Sequence, residues 1–385
     1  MNREKTLVLN PTENFSMNIK DNYEILEGFY VSDEIRDGNN KIIFAGRNSY
    51  TKQLSILKNN WCKALNAEDI DLRFLSGLHA HIITFMSLGN IGDTILLLPE
   101  NAGGHYSTEA ILKRLGYNVI CAIPNNNQYC VDIDRTQALI KKYRPKFIFI
   151  DRSEGLYYED FSWVKQIPVQ YCIFDGSQYL SQIISKTYPS PFDFGFDLLL
   201  SSTHKNYPGP QKAFLASKKI DMYWQKIKDG SATYISNSHP KEMFQIAESI
   251  SNIEKLKEYS NLMIDISDNL ENFLSNQGFP VINKDTNKIH TQHIWATFKD
   301  KDECFKIFCC LEQLGLYTNY RLLPYNLGYG LRIGVGAAIQ QGLRVSHVEQ
   351  LSKLMVKSYK NGYSKSLKNE VEEFLEVISQ NGKFI

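Results

Sequence analysis

The segment Asp197–Pro210, DLLLSSTHKNYPGP, is the part of the sequence that predicts the fold class most directly. Its first four residues, Asp197–Leu200, form a short apolar run that predicts a buried strand. A polar turn, Ser201–Lys205, follows at once and places a lysine just beyond the carboxyl end of that strand. Ligands of open α/β sheets bind at this end of the strands, so the segment predicts a sheet protein with a functional lysine at its edge.

The same pattern of an apolar run with a polar end recurs upstream. Four further strands are predicted, at Thr94–Leu98, Val119–Ile123, Lys146–Ile150 and Val169–Phe174. Helical spacing of apolar residues occurs at Thr51–Leu65, Thr108–Leu115 and Ala138–Tyr143. Short apolar strands that alternate with helices predict a mostly parallel sheet covered on both faces.

Beyond residue 240 the pattern changes. A long helical pattern runs from Pro240 to roughly Phe273, and strand-like runs occur at His293–Phe298 and Leu331–Ile333. A helix is predicted between these strands, at Glu303–Leu314. We therefore expect three regions: an N-terminal segment over 1–45, a large α/β domain over 46–240 and a small α+β domain over 241–385.

The composition excludes several classes of function. The chain has 385 residues, 43% of them apolar, and its 43 Lys and Arg nearly balance 42 Asp and Glu. It has no basic block or acidic tail, so we expect neither nucleic-acid binding nor a polybasic membrane surface. The N-terminus is polar and no apolar stretch approaches the roughly 18 residues of a membrane span, which predicts a soluble cytoplasmic protein.

Metal binding is not the favoured interpretation. The seven cysteines include no C-x-x-C pair and no zinc-ligand spacing, and most lie in apolar runs. They are expected to be small core residues in a reducing compartment. His79 and His81 could suggest a metal site, but residues two apart on a helix point to different faces.

Several polar groups would meet at the carboxyl edge of the predicted sheet. Asp175 ends the strand before the one that leads to Lys205, and His105 follows an upstream strand. Ser76 and Gly77 begin an apolar helix, whose N-terminus is suited to a phosphate. Each group also has an ordinary interpretation: a solvated lysine, a turn-capping aspartate, a packed histidine or a simple helix cap.

Arg332 lies within the apolar segment Gly330–Gly334, where an unpaired guanidinium would be costly. It therefore requires an anion, either a structural carboxylate or a substrate. A lysine, a strand-end aspartate, a ring, a phosphate-binding helix end and an arginine are together what a pyridoxal 5′-phosphate enzyme needs. We expect this cofactor to be bound to Lys205 as a Schiff base.

The sequence resembles the serine hydroxymethyltransferase branch of fold-type I pyridoxal enzymes. The most specific match is Ser202–Lys205 with Gly209-Pro210, which is similar to the family's T-T-H-K and the G-P after it. The other matches occur in family order, from residue 11 to about 343. They are Thr12-Glu13-Asn14-Phe15 for S-E-N-[FY], Ser76-Gly77-Leu78 for S-G-[ST], Gly103-Gly104-His105 for G-G-H, Asp175, and Gly330–Gly334 for G-I-R-[IL]-G.

This resemblance implies an α/β fold of type I, with a large, mostly parallel sheet of the seven-stranded type and a smaller C-terminal α+β domain. It implies catalytic roles for Lys205, Asp175 and His105, whose ring stacks on the cofactor. It implies substrate binding by Arg332, Thr12 and Glu13, and a homodimer with active sites at the subunit interface. The implied cofactor-binding residues are Ser76, Gly77, Leu78, His105, Ser153, Asp175, Gln178, Thr203, His204 and Lys205.

The sequence departs from the family pattern near its N-terminus. The family's E-G-Y-P-G-K-R-Y-Y-G-G, with a catalytic glutamate and tyrosines, would fall near Arg36–Gly46, where neither residue type occurs. Glu27 or Glu34 could replace the glutamate only through a shift of the loop. Gln178 stands where the family's D-x-A-H has a histidine, and an amide forms hydrogen bonds without titrating near neutrality.

Two other departures lie after the lysine segment. The arginine after G-P is Gln211, and the glycine-rich Q-G-G-P that reaches a neighbouring subunit's phosphate is Asn237–Pro240. These changes affect folate chemistry and subunit contacts, whereas the core residues for the cofactor are retained.

The expected activity is aldol-type cleavage or formation of a carbon–carbon bond at the α-carbon of a small amino acid such as glycine, serine or threonine. The altered loop favours a folate-independent aldolase or transaldolase with an aldehyde co-substrate, in a specialised pathway. An authentic serine hydroxymethyltransferase is the second hypothesis. An aminotransferase or racemase on the same fold, and a catalytically inactive binding protein, are further alternatives.

Overall fold

The computed structural model describes residues 6–19, 45–46 and 48–385. Its strands are, in chain order, β1 (Leu7–Val8), β2 (Asp69–Phe74), β3 (Thr94–Leu97), β4 (Asn118–Cys121), β5 (Pro124–Asn125), β6 (Cys130–Val131), β7 (Phe147–Asp151), β8 (Tyr171–Asp175), β9 (Leu198–Ser202), β10 (Ala213–Ser217), β11 (Ile294–Thr297), β12 (Leu316–Tyr317), β13 (Asn319–Leu323) and β14 (Gly328–Ile333).

The helices surround two of the sheets that these strands form. They are α1 (Asn48–Leu65), α2 (Gly77–Leu88), α3 (Thr108–Arg114), α4 (Ile133–Tyr143), α5 (Leu180–Ser185), α6 (Met222–Tyr234), α7 (Pro240–Ser249), α8 (Ile253–Asn276), α9 (Lys301–Leu314), α10 (Gly336–Gln340), α11 (Val348–Asn361) and α12 (Lys365–Ser379). Across the described ranges, no helix is both long enough and apolar enough to cross a membrane.

The largest sheet has seven strands in the order β2-β10-β9-β8-β7-β3-β4. Strand β10 is antiparallel to both of its neighbours, and the remaining pairs are parallel. The predicted α/β class with a large, mostly parallel sheet is therefore confirmed. A parallel sheet must be covered on both faces, and β7, β8 and β9 are accordingly apolar up to the one or two polar residues at their carboxyl ends.

The alternation of side chains along a strand divides the core into two layers. In β7, Ile148 and Ile150 face one layer, which also contains residues of α1, α5 and α7. Phe147 and Phe149 face the opposite layer, to which α2 and α6 contribute. Because both faces of β7, β8 and β9 are closed, the polar residues of these strands lie at their carboxyl ends.

The C-terminal unit contains a three-stranded antiparallel sheet, β11-β14-β13, with its own apolar cluster. Strand β1 pairs with β12 in parallel, so Leu7 packs in this cluster. Helix α8 contributes to both parts of the core. Its residue Leu256 packs in the layer that contains α1, α5 and α7, whereas Tyr259 packs in the C-terminal cluster. The domain boundary near residue 240 stays a prediction.

Strands β2 and β10 were not predicted from the sequence. In β2 the charged residues Asp71 and Arg73 interrupt the apolar run, although both side chains are buried. They lie on the same face of the strand and form an ion pair at 2.7 Å between Asp71 Oδ2 and Arg73 Nη2. Pairing makes the burial of these charges tolerable, and a local pattern cannot reveal it.

The predicted long helix from Pro240 to Phe273 is wrong in one respect, because it is two helices. A 3₁₀ turn at Ile250–Asn252 separates α7 from α8. The Asn252 side chain accepts a hydrogen bond from the backbone N–H of Lys255 at 3.3 Å and so caps α8. An asparagine competes for backbone hydrogen bonds and favours a helix start over a helix interior.

We expect Trp61→Ala to lower the free energy of unfolding by about 3–5 kcal/mol. Trp61 is fully buried in α1, and its indole N–H donates to the carbonyls of Ile246 at 3.0 Å and Ala247 at 3.2 Å. Ile56→Ala, at an exposed position of the same helix, should change stability by no more than about 0.5 kcal/mol. Urea denaturation measures both free energies of unfolding. It is monitored by far-ultraviolet circular dichroism, which does not rely on tryptophan fluorescence. Equal effects of the two substitutions would contradict the role of Trp61 in anchoring α1.

Candidate active site

Polar side chains occupy the carboxyl ends of three neighbouring strands, β7, β8 and β9. Asp151 ends β7 and Asp175 ends β8, and their Cα atoms lie opposite each other in the parallel register. Lys205 follows β9 through the turn that begins at Ser202. The structure thus brings the lysine and the strand-end aspartate of the sequence analysis to one edge of the sheet.

Asp175 is a buried carboxylate with a partner on each oxygen. Oδ1 accepts the backbone N–H of Ser177 at 2.8 Å, and Oδ2 lies 2.6 Å from Nε2 of His81. Burial by itself would raise the pKa of Asp175, but the hydrogen bond and charge of His81 and the charge of Lys205 lower it to about 2. The carboxylate is therefore ionised at neutral pH and can hold a proton on a basic ring nitrogen.

His81 was considered in the sequence only as a possible metal ligand together with His79. It lies in α2 and is buried, with its ring edge-on to Phe149 at 5.0 Å and to His105 at 6.2 Å. Among the described residues, its Nδ1 atom has no hydrogen-bond partner. His81 is thus held by packing on one side and by Asp175 on the other.

His81, Asp151 and Asp175 each offer a potential metal-ligand atom, and these atoms lie within 4.8 Å of one another. The 2.6 Å separation of His81 Nε2 and Asp175 Oδ2 is a hydrogen-bond distance. Two ligands placed at about 2.0–2.2 Å from one cation would normally lie farther apart. The geometry therefore favours a proton between this histidine and aspartate.

Asp151 organises the residues beside Asp175. Its Oδ2 accepts the backbone N–H of His105 at 3.3 Å and the hydroxyl of Thr108 at 3.0 Å, and its Oδ1 accepts the hydroxyl of Ser153 at 2.8 Å. Neutral donors on both oxygens satisfy a buried carboxylate. Asp151 thereby fixes the positions of His105 and Ser153, two of the residues that the sequence analysis assigned to the cofactor.

The imidazole of His105 presents a ring at the same edge. Its Nδ1 atom lies 2.8 Å from the hydroxyl of Ser107, and the ring stacks on Tyr106 with 4.7 Å between centroids. Burial lowers the pKa of His105, partly opposed by Asp151, so the ring is neutral at pH 7. A neutral ring can stack on a planar heterocycle without adding charge to the site.

The N-terminus of α2 forms a polar cradle. Ser76 caps this helix, and its hydroxyl accepts the backbone N–H of His79 at 3.2 Å. A Cβ atom on Gly77 would lie 3.5 Å from Cβ of Ser202, so the start of the helix lies against the end of β9. Leu78 follows with an exposed side chain. Backbone N–H groups at a helix N-terminus are a binding site for phosphate.

Two buried polar atoms at the end of β9 and in the turn after it have no protein partner among the described residues. They are the hydroxyl oxygen of Ser202 and Nδ1 of His204. Burial and the neighbouring charge of Lys205 lower the pKa of His204 to about 4, so it is a neutral donor or acceptor at pH 7. Unpartnered buried polar atoms are costly, and a bound anion would satisfy them.

The turn that carries Lys205 is fixed from both sides. The carbonyl of Lys205 accepts Nδ2 of Asn14 at 2.7 Å, and the hydroxyl of Thr203 donates to the carbonyl of Pro210 at 2.6 Å. A Cβ atom on Gly209 would lie 2.7 Å from the carbonyl oxygen of Thr203, so this close approach requires glycine. Thr203 therefore closes the turn, whatever further role it has toward the cofactor.

Gln178 lies in a network of amides and a histidine. Its Nε2 donates to the carbonyl of Pro11 at 3.2 Å, and its Oε1 accepts Nε2 of Gln292 at 2.8 Å. The same oxygen lies 3.3 Å from Nε2 of His293. Burial and the charge of Arg332 hold the pKa of His293 well below its usual value, so this network contains no charge.

Arg332 is paired with a structural carboxylate. Its Nη1 atom lies 3.5 Å from Oε1 of Glu154, and its Nε donates to Oδ1 of Asn319 at 3.1 Å. Arg321 forms a second ion pair with the same glutamate oxygen. Burial raises the pKa of Glu154 and lowers that of Arg332 to about 10. From the sequence, the anion near Arg332 could be a structural carboxylate or a substrate. The structure shows a structural carboxylate, that of Glu154.

The structure does not bring Thr12 and Glu13 into contact with Arg332. The hydroxyl of Thr12 donates to Oδ1 of Asn10 at 2.8 Å, and the exposed Glu13 accepts Nδ2 of Asn10 at 3.1 Å. Most of the Arg36–Gly46 stretch, in which the sequence lacks the family's glutamate and tyrosines, lies outside the described residues. The possible substitutes Glu27 and Glu34 lie outside them as well.

The side chains present fit pyridoxal 5′-phosphate. Asp175 supplies an ionised carboxylate for the ring nitrogen, Lys205 an amine, and His105 a neutral ring. The α2 N-terminus with the unpartnered atoms of Ser202 and His204 suits the phosphate. Together with the sheet topology, these groups define the chain as a fold-type I enzyme that uses pyridoxal 5′-phosphate.

Comparisons with known proteins give the family. The sequence profile described as serine hydroxymethyltransferase matches residues 2–355. Two relatives of that name come from Archaeoglobus fulgidus, with 25% identity over 327 residues, and from Saccharolobus islandicus, with 27% identity over 323 residues. These alignments cover 82% and 80% of this chain, respectively, and 74% of each relative. The chain therefore belongs to the serine hydroxymethyltransferase family, whose members are pyridoxal-phosphate-dependent enzymes of the hydroxymethyltransferase and aldolase type.

A solved structure supports the fold independently. The crystal structure of L-threonine transaldolase from Pseudomonas fluorescens superposes with a TM-score of 0.87. The match covers 98% of this chain and 88% of that protein at 17% sequence identity. At this identity the likeness establishes the fold, which is the predicted fold type I.

Sequence reasoning gave no specific role to three residues that the geometry places in the site. They are His81 on Asp175, Asp151 beneath His105, and Glu154 on Arg332. Asp151 is recognisable in the sequence as a polar residue at the end of a predicted strand, next to the one that ends in Asp175. The partners of His81 and Glu154 are distant in sequence, and nothing in the local pattern identifies them.

We expect His81→Leu to weaken binding of pyridoxal 5′-phosphate about tenfold or more, because a hydrogen bond to a charged group contributes about 1.5–3 kcal/mol. Loss of His81 also removes the main influence that lowers the pKa of Asp175, so binding should weaken further as the pH falls toward acid values. Equilibrium dialysis with cofactor absorbance measures the dissociation constant. His290→Leu, which breaks a histidine–aspartate pair with Asp268 elsewhere in the fold, should leave it unchanged. Equal affinity of the His81 variant and the unmodified protein would refute this role.

Proposed function

We propose that this enzyme makes or breaks the Cα–Cβ bond of a small β-hydroxy amino acid without folate, as an aldolase or a transaldolase with an aldehyde co-substrate. The observation that supports it most directly is the common edge shared by Lys205, the ionised Asp175 and the neutral His105. When bound, pyridoxal 5′-phosphate withdraws electrons from the substrate's α-carbon. The side chains of the protein carry out the remaining tasks.

Each of these residues has a defined task in the proposal. Lys205 is the amine that links the cofactor to the protein and gives way to the substrate's amine. Asp175, kept ionised by His81, holds a proton on the ring nitrogen. His105 covers one face of the ring, and its neutral state leaves the electron demand of the ring unopposed. Asp151 keeps His105 and Ser153 in position.

Arg332 is proposed to bind the α-carboxylate of the substrate. A guanidinium suits this task because its planar fork matches a carboxylate with two parallel hydrogen bonds. In the structure its Nη1 atom lies 3.5 Å from Glu154, which is longer than the roughly 2.7–2.9 Å of a good charge-assisted hydrogen bond. The guanidinium thus retains donor capacity for an incoming carboxylate.

Folate independence is inferred from the residues that replace the family's histidine, glutamate and tyrosines. Gln178 cannot exchange a proton near neutrality, and its amide is already bonded to Pro11 and Gln292. The stretch Arg36–Gly46 contains no glutamate or tyrosine. General acid–base steps on a one-carbon carrier require such groups. A reaction in which a free aldehyde is the second substrate requires fewer groups for general acid–base catalysis.

Serine hydroxymethyltransferase itself is the second candidate. It is favoured by family membership and by relatives of that name which this chain matches over most of their length. The solved structure that resembles this chain, an L-threonine transaldolase, favours the first candidate. The two differ in one requirement, tetrahydrofolate, and this makes them separable by experiment.

A cytoplasmic homodimer with active sites at the subunit interface is part of the proposal. Apolar or aromatic side chains are exposed beside the cradle and beside His105: Leu75, Leu78 and Tyr106. Exposed apolar groups clustered around a site are typical of a surface that a second subunit covers.

We expect the enzyme loaded with pyridoxal 5′-phosphate to release acetaldehyde from L-threonine, and to do so faster when benzaldehyde is added as an acceptor. Coupled reduction of the acetaldehyde by alcohol dehydrogenase measures the rate. Lys205→Ala should reduce it by at least about a thousandfold, whereas Lys219→Ala, at an exposed position after β10, should not. Formation of a keto acid without aldehyde would instead indicate an aminotransferase.

Tetrahydrofolate should change the rate of L-serine cleavage less than about twofold, because the groups that would serve a folate carrier are absent from their family positions. Release of formaldehyde, or of methylene-tetrahydrofolate, measures this rate with and without the carrier. A strong acceleration by folate would reverse the order of the two candidates. A serine hydroxymethyltransferase of the same family, assayed in parallel, confirms that the folate is active.

A further inference from the structure

Glu154 is a buried acid in contact with the proposed substrate-binding arginine. Its side chain is almost fully buried, and its backbone N–H donates to the carbonyl of Gly103 at 2.9 Å. Both arginine contacts, from Arg321 and Arg332, are made to Oε1. Among the described residues, the second carboxylate oxygen, Oε2, has no hydrogen-bond partner.

This arrangement is poorly suited to a permanently ionised carboxylate. A buried carboxylate normally needs donors on both oxygens, and Asp175 and Asp151 in the same site have them. Among the described residues, Glu154 has donors on one oxygen only. An unsatisfied oxygen costs the ionised form more than the neutral acid, and burial accordingly raises the pKa of Glu154.

The two arginines are not equivalent. Arg321 is partly exposed and is shared between Glu154 and Glu100, whose Oε1 lies 3.3 Å from its Nη2. Arg332 is buried and pairs with Glu154 at 3.5 Å without forming the bidentate fork. A ligand carboxylate would therefore meet a guanidinium that already has a loose internal partner.

Two carboxylates that share one buried site cannot both remain ionised without cost, and the pKa of one of them rises strongly. We propose that Glu154 is an internal counter-anion of Arg332 that takes up one proton from solvent when the substrate's carboxylate pairs with Arg332. The proton goes to a carboxylate oxygen of Glu154, and no other bond is made or broken. Substrate binding is then linked to pH through Glu154. This inference rests on the proposed role of Arg332.

The other charged or titratable groups around Glu154 cannot supply this proton uptake. Arginine side chains are not deprotonated in proteins, which applies to the neighbouring Arg321 and Arg152. Arg152 pairs with Glu159, and its Nη1 lies 3.5 Å from the Glu154 carbonyl. His293, whose Nδ1 accepts the N–H of Gly155 at 3.4 Å, has a pKa held well below its usual value by burial and Arg332. Glu100 is half exposed, so solvent screens it.

The test uses propionate, a carboxylate without an amino group, and the enzyme loaded with pyridoxal 5′-phosphate. Its dissociation constant is measured from about pH 6 to 9, a range in which propionate itself stays ionised. We expect the constant to rise with pH, by up to about tenfold per unit above the pKa of Glu154 in the free enzyme. Calorimetry in two buffers of different ionisation enthalpy should show uptake of up to about one proton per propionate.

Three variants make the outcome specific. Glu154→Gln keeps the shape of the side chain but cannot take up a proton, so its dissociation constant should be independent of pH and lower than that of the unmodified enzyme at the alkaline end. Glu100→Gln removes the other acid near Arg321 and should keep the full pH dependence. Arg332→Lys keeps the charge but loses the fork, and should weaken propionate binding at every pH.

The results separate this inference from the proposed function. Binding that Arg332→Lys weakens, but that takes up no proton and has the same pH dependence in Glu154→Gln, would overturn the role of Glu154 alone. If propionate does not bind, or if Arg332→Lys leaves its binding unchanged, both the carboxylate role of Arg332 and this inference are wrong. Absence of proton uptake in the unmodified enzyme would by itself overturn the role of Glu154, so the inference can be refuted even if a variant fails to fold.

Discussion

A carboxylate removed from water must find partners for its charge, and this constraint organises the whole carboxyl edge of the sheet. Three buried acids meet it in three ways. Asp151 accepts from hydroxyls and a backbone N–H, Asp175 from His81 and a backbone N–H, and Glu154 from two arginines on one oxygen. The positions of the surrounding residues follow from these pairings. The strands place these three acids at the carboxyl edge of the sheet, and the acids in turn hold the neighbouring side chains in position.

Local pattern was sufficient for much of the fold. Apolar runs with polar ends predicted β7, β8 and β9, because a strand buried on both faces must be apolar and can place polar groups only where it ends. It failed where burial of charge depends on a partner, as with Asp71 and Arg73 in β2. It also failed at Asn252, where a single capping side chain divides one helical pattern into two.

The candidate site was predictable to a similar extent and for the same reason. Lys205, Asp175 and His105 each follow a predicted strand, so their shared edge was foreseeable from order alone. His81 and Glu154 were not, because tertiary packing alone decides their partners. Arg332 shows the boundary clearly: an arginine in an apolar segment required an anion, but sequence could not decide between a protein carboxylate and a substrate.

The site has two sides: the cradle at the N-terminus of α2, and the arginine side around Arg332 and Glu154. They differ in whether their buried polar atoms already have protein partners. On the cradle side, buried atoms of Ser202 and His204 have no partners among the described residues, which suits a ligand that stays bound. On the arginine side, Gln178 contacts His293, and His293 accepts the N–H of the residue after Glu154. Gln178, a departure from the family pattern, is therefore linked through His293 to the backbone beside Glu154. We therefore expect differences in substrate between this enzyme and its relatives to arise on the arginine side of the site.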